Sequence, residues 1–140
     1  MGKVIITIFV IVFGTMNMTV RGQEKVSTAS DTLVVVWTSG DIEVAEKMVY
    51  MYVYNAKRAG WFNEVIFIVW GPSAKLLAEN PDLQAEIRKM KEEGIILEAC
   101  IACARMYEVE DDLAKLGIDV KGMGAQLSDY LKRGYKVMAF

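Results

Sequence analysis

Short apolar runs alternate with amphipathic stretches along most of this chain. Leu33 to Trp37 reads LVVVW and Val65 to Trp70 reads VIFIVW. Both runs are rich in β-branched residues and lack polar alternation, as expected of strands covered on both faces. Thr38, Ser39, Gly40 and Asp41 end the first run, and Asp41 is a natural helix N-cap. Ile42, Ala45, Val49, Tyr52, Val53 and Ala56 then recur at helical spacing as far as Gly60, a helix stop. Gly71 and Pro72 close the second run, and Ser73 to Glu79 is a predicted helix. Asn80, Pro81 and Asp82 break it, and a further helix runs through Leu83, Ile87 and Met90 to Gly94. Ile95 to Ala99 is the third predicted strand. Cys100 to Tyr107 begins a helical region that continues or restarts through Asp111 to Leu116 and stops at Gly117. Ile118 to Lys121 reads as a short fourth strand, Leu127 to Lys132 as a helix, and Tyr135 to Phe140 as a closing strand.

Strands alternating with helices over short connections call for parallel strands with helices on both faces. The predicted fold class is therefore α/β: a three-layer α/β/α sandwich around a mostly parallel sheet of about five strands. In such sheets, ligands and reactive groups gather at the carboxyl ends of the strands. That rim is predicted to hold Thr38 to Asp41, Gly71 to Ser73, Cys100 with Cys103, and Met123 with Gly124.

The first residues stand apart from this pattern. Val4 to Phe13 reads VIITIFVIVF behind the lone positive charge of Lys3. A bilayer-spanning helix needs about twenty apolar residues and the core of a signal peptide roughly 7 to 15, so the run fits export. Cleavage after Gly22 makes residues 1–22 a signal peptide and residues 23–31 a polar linker to a domain over 32–140. A cut after Ala29 is the alternative; an uncleaved membrane anchor or a buried strand are the other readings. Export implies a periplasmic or secreted protein. Loss of Lys3 and Arg21 takes the formal net charge from −2 to −4, and no cluster of Lys and Arg suggests a nucleic-acid partner.

The chain has no histidine, which excludes Ser-His and Cys-His catalysis, His-ligated zinc and the usual neutral-pH base. Its two cysteines, Cys100 and Cys103, form a C-I-A-C motif after the apolar run Ile95 to Leu97. A cysteine where a strand hands over to a helix faces unpaired backbone N–H groups, which favour the thiolate. Cys100 is the candidate nucleophile. Cys103, a turn further on, is placed as a resolving thiol, or is a small buried residue between Ala102 and Ala104. Two cysteines without histidine cannot complete a zinc site within one chain, and no cofactor is indicated. A metal shared across an oligomer interface is the exception.

Other motifs are weaker. Gly122, Met123 and Gly124 lack the third glycine of a dinucleotide fingerprint, and Ser39, Gly40 and Asp41 lack the lysine of a P-loop. Arg105 could hold an anionic sulfur species or be a solvated helix residue. Trp37 and Trp70 end adjacent strands and could wall a small pocket or belong to the core. Glu108, Glu110, Asp111 and Asp112 read as a helix start, where carboxylates are favourable.

Four segments together resemble the DsrE/DsrF-like family of small α/β sulfur-relay proteins: LVVVWTSGD, VIFIVWGPSAKLL, IILEACIACARMYEV and LGIDVKGMGAQLSDYLKRGYKVMAF. The likeness covers Leu33 to Phe140. It implies that Cys100 carries sulfane sulfur as a persulfide and passes it to a partner, and that the protein forms a homo-oligomer, a trimer or hexamer. The implied partners are sulfur donor and acceptor proteins or small sulfur species, with a membrane only if the N-terminal segment stays uncleaved. Two features depart from the pattern: the second thiol at Cys103, which occurs in some members but is not part of the simplest carrier site, and an export signal that does not suit the cytosolic relay partners for which the family is best known. The competing readings are an exported dithiol/disulfide oxidoreductase using the same two residues and a non-catalytic oligomeric binding module.

Overall fold

The computed structural model describes residues 31–140, together with Gly2. The signal peptide expected over 1–22 and the linker expected over 23–31 lie outside the described residues, Gly2 and Asp31 excepted.

Five strands form one sheet: β1 (Thr32–Trp37), β2 (Glu64–Val69), β3 (Ile96–Cys100), β4 (Asp119–Lys121) and β5 (Lys136–Ala139). Their order is β4-β3-β2-β1-β5, and every pairing is parallel. The predicted boundaries hold to within a residue or two in the strands, with β3 reaching one residue further to include Cys100.

Between β1 and β2 the chain runs through α1 (Ile42–Val44), a π-helical turn (Ala45–Val49) and α2 (Tyr50–Arg58). Asp41 caps this helix as its sequence suggests, accepting from the backbone N–H groups of Glu43 and Val44. Helices α3 (Pro72–Glu79) and α4 (Pro81–Glu92) join β2 to β3, with Asn80 capping α4. Helices α5 (Ile101–Met106) and α6 (Glu110–Lys115) join β3 to β4. The last helix, α7 (Met123–Lys132), begins four residues before the predicted Leu127: Gly122 is its N-cap, and Met123 and Gly124 belong to its first turn.

The two faces are unequal, and the reason is chirality. Successive steps β1 to β2, β2 to β3 and β3 to β4 move the same way across the sheet, so right-handed crossovers put all their helices on one face. The return from β4 to β5 crosses back, so α7 lies on the other. Burial follows this division. Leu33, Val35, Trp37, Val65, Phe67 and Val69 point into a core closed by Val49, Val53, Leu77, Leu83, Ile87 and Leu113. Val34, Val36, Ile66, Ile68 and Cys100 point to the opposite face, where the buried partners are Met123 and Tyr130 of α7. The α/β/α sandwich is thus confirmed, and among the described residues its second helical layer is α7 alone.

Candidate thiol site

The crossovers that leave β3 and β4 go to opposite faces of the sheet, which makes the carboxyl ends of these two strands its topological switch point. Cys100 ends β3, Lys121 ends β4, and the two are register partners. Cys100 is also the N-cap of α5, with extended backbone (φ −75°, ψ 113°) and no side-chain capping bond. The residue is 6% exposed and belongs to the buried cluster of Val34, Val36, Ile66, Ile68, Met123 and Tyr130. The expected position at the strand end is confirmed; open access to solvent is not what the geometry shows.

Cys103 is half-buried, and both cysteines are free thiols. The Cys103 thiol lies within interaction range of the Cys100 side chain and of the Gly71 backbone N–H. Burial pushes the Cys103 thiol up and the neighbouring Cys100 raises it further, while the Gly71 N–H pulls in the opposite direction. Both burial and the neighbouring thiol thus favour the protonated form of Cys103. Gly71 can approach because its backbone (φ 79°, ψ −138°) lies where residues with a side chain are strained. Ser73, on the same turn, donates from Oγ to the Trp37 carbonyl at 2.6 Å and accepts from the Trp70 N–H at 3.1 Å, tying the β1 and β2 ends together.

A buried acid beside Cys100 was not anticipated from the sequence. Side chains alternate along β3, so Glu98 emerges on the same face as Cys100, two residues before it. Glu98 is 3% exposed. Its Oε1 accepts from Lys121 Nζ at 2.6 Å and from the Tyr130 hydroxyl at 2.8 Å, and Oε2 is buried without a partner among the described residues. Lys121 Nζ also reaches Asp119 Oδ2 at 2.7 Å. Burial would lower the Lys121 ammonium, but the hydrogen bonds to Asp119 and Glu98 carry it well above the ordinary lysine value. Burial and the Glu98 contact push Tyr130 up to about 12, against a Gln126 hydrogen bond that lowers it, so the phenol is neutral at physiological pH. The available signal was one acid within the otherwise apolar segment ILEAC, followed by a lysine at the end of the next strand.

The remaining candidates separate. Arg105 turns away to Glu110, with Nε at 2.8 Å from the carboxylate, and this exposed pair leaves it no place beside the thiols. Trp37 is fully buried in the core, stacked on Phe67 at 6.0 Å, which answers the pocket-wall reading in favour of the core. Trp70 is half-buried and packs against the cluster that contains Cys100. Glu110, Asp111 and Asp112 do form the first turn of α6. Met123 is buried under the sheet edge, not displayed on the rim. A cavity of about 360 Å³ lined by Tyr50, Met51, Tyr54, Asp82 and Glu86 lies among the outer helices and includes neither cysteine. No group of three or more metal-ligating side chains occurs among the described residues, and no helix there is long and apolar enough to cross a membrane.

Comparison with known proteins agrees with this architecture. A conserved protein of unknown function from Bacteroides thetaiotaomicron, BT1422, is 37% identical in its solved structure, with a TM-score of 0.76 over 79% of this chain and 95% of that one. The ychN protein of E. coli shares the fold at 10% identity, with a TM-score of 0.58 over 79% of this chain and 99% of that one. No curated protein matches the chain. The family model described as DsrE/DsrF-like matches residues 32–140, the whole of the sheet and its helices, and the chain belongs to that family.

Proposed function

We propose that this protein is a sulfur carrier in which Cys100 holds sulfane sulfur as a persulfide and Cys103 acts as resolving thiol. The observation that carries the reading is the pair of neighbouring free thiols at the carboxyl edge, where the crossovers diverge. Family membership supports it. In the loading step the Cys100 thiolate attacks the outer sulfur of a polysulfide or protein persulfide, forming Cys100–S–S⁻ while the donor leaves as a polysulfide one sulfur shorter or as the protein thiolate. An acceptor thiolate then takes the outer sulfur and returns Cys100 to its thiolate. Alternatively, deprotonated Cys103 attacks the Cys100 sulfur, which forms the disulfide and expels hydrosulfide; an external dithiol must then reduce the pair. None of these steps needs an imidazole. The apolar wall around Cys100 keeps water from the loaded sulfur.

Incubation with inorganic polysulfide followed by intact mass measurement tests the reading. The wild type should gain sulfur, and Cys100→Ser should fold normally and gain none. Sulfur gain that persists in Cys100→Ser would overturn it. The proximity of the two thiols also favours a second reading, a dithiol/disulfide oxidoreductase, which predicts clean cycling between the two states and no retained sulfur. Action outside the cytoplasm, after removal of the N-terminal segment, forms part of the proposal.

A further inference from the structure

Lys121 is placed to serve two masters. Its Cα is paired with that of Cys100 across adjacent parallel strands, about 4.8 Å apart in such sheets, so its long flexible stem can bring the ammonium to the sulfur without moving the backbone. Instead the ammonium leans back to Glu98 and Asp119. One cation is therefore divided between two carboxylates, and Glu98 retains a bare buried oxygen. Near Cys100 the local charge is thus net negative and opposes a sulfur anion. The other cation on this side, Arg133, lies over the Tyr135 ring and pairs with Asp129, so it stays on the outer side of the tyrosine stack. β2 contributes Ile66 and Ile68, α5 contributes Cys103, and α7 contributes Tyr130, against which Tyr135 stacks at 5.3 Å. Arg105 is engaged by Glu110.

We propose that Lys121 is the counter-ion of the sulfur anion at Cys100, and that Glu98 is a positioning residue that holds this lysine in reserve until an anion forms there. When Cys100 ionises or carries a persulfide, the ammonium turns to the sulfur. Glu98 then keeps the Tyr130 hydroxyl at 2.8 Å on Oε1, and the exposed Asp119 is resolvated. The device gates loading: the thiol becomes reactive as the lysine arrives. Its role in sulfur transfer rests on the carrier reading, but the electrostatic coupling of Lys121 and Glu98 to Cys100 does not.

The test is the pH profile of alkylation by iodoacetamide in the full-length folded protein, with the modified sulfur located by fragment-ion mass spectrometry. Lys121→Met should move the Cys100 midpoint up by about one pH unit, and Glu98→Gln should move it down by about as much. Lys121→Arg should restore the wild-type profile. A purely structural role would shift both variants the same way or leave the midpoint unchanged, and either result overturns the proposal. Should Lys121→Met lose its fold by circular dichroism, the isosteric Glu98→Gln decides alone, since an unchanged or raised midpoint contradicts the account. Failure of the wild type to load sulfur while these opposed shifts persist would sink the carrier reading and leave the coupling standing. Normal loading with no shifts would do the reverse.

Discussion

At the scale of single residues, the two thiols differ in surroundings more than their shared motif suggests. Cys100 is walled by aliphatic side chains and α7, while Cys103 is half-buried and touched by a backbone N–H. Because burial and the contact with Cys100 raise Cys103, it should resist alkylation at neutral pH and react only above the range of a free thiol, about 8.5. The sign for stability follows. A thiol whose folded value is raised favours the folded state below its unfolded value, and that contribution is lost as pH rises through the folded value. Site-resolved alkylation across pH checks this, and a Cys103 midpoint below that of a free thiol would contradict it. The cysteines themselves were legible in the sequence because sulfur in C-I-A-C has few alternatives once histidine is absent. Glu98 was not, because its significance lies in contacts from Lys121 and Tyr130, 23 and 32 residues further along the chain, that no local pattern announces.

At the scale of elements, the periodicity reads well wherever a run has both a clear apolar face and a chemical stop. The helix entries at Asp41 and Asn80 follow from side chains that accept from first-turn N–H groups. The start of α7 was missed because Gly122 caps it without a side chain and Gly124 lies inside its first turn, where glycine signals a loop. The π-helical turn over Ala45–Val49 likewise leaves no mark in the spacing of apolar residues. Gly71 links an element's geometry to the site. A Cβ there would meet no atom closer than the Thr38 carbonyl at 4.0 Å, so the penalty for Gly71→Ala is backbone strain at φ 79° and not collision. Gly71→Ala should cost about 1 to 3 kcal/mol, read by denaturant unfolding. Displacement of its N–H should also move the Cys103 alkylation midpoint upward. An unchanged unfolding midpoint would show that the β2–α3 turn is not held as described.

At the scale of the whole molecule, sequence alternation led directly to the parallel α/β fold, and crossover handedness explains what alternation alone did not show. Three crossovers stack their helices on one face, while the single return leaves α7 on the other. The same reversal puts the topological switch point between β3 and β4, which is why a cysteine at the end of β3 sits at a place suited to chemistry. Assembly is a further property at this scale. As the family resemblance implies, the protein should sediment as a trimer or hexamer, and a monomer at micromolar concentration would contradict that expectation.

The central claim is that the sulfur atom of Cys100, and not that of Cys103, receives the transferred sulfur. The most direct measurement is to load the folded protein from polysulfide, trap persulfides with an alkylating agent and sequence the peptide by mass spectrometry. The account predicts the added sulfur on Cys100, with Cys103 bearing none. Added sulfur found on Cys103, with Cys100 unmodified, would contradict it.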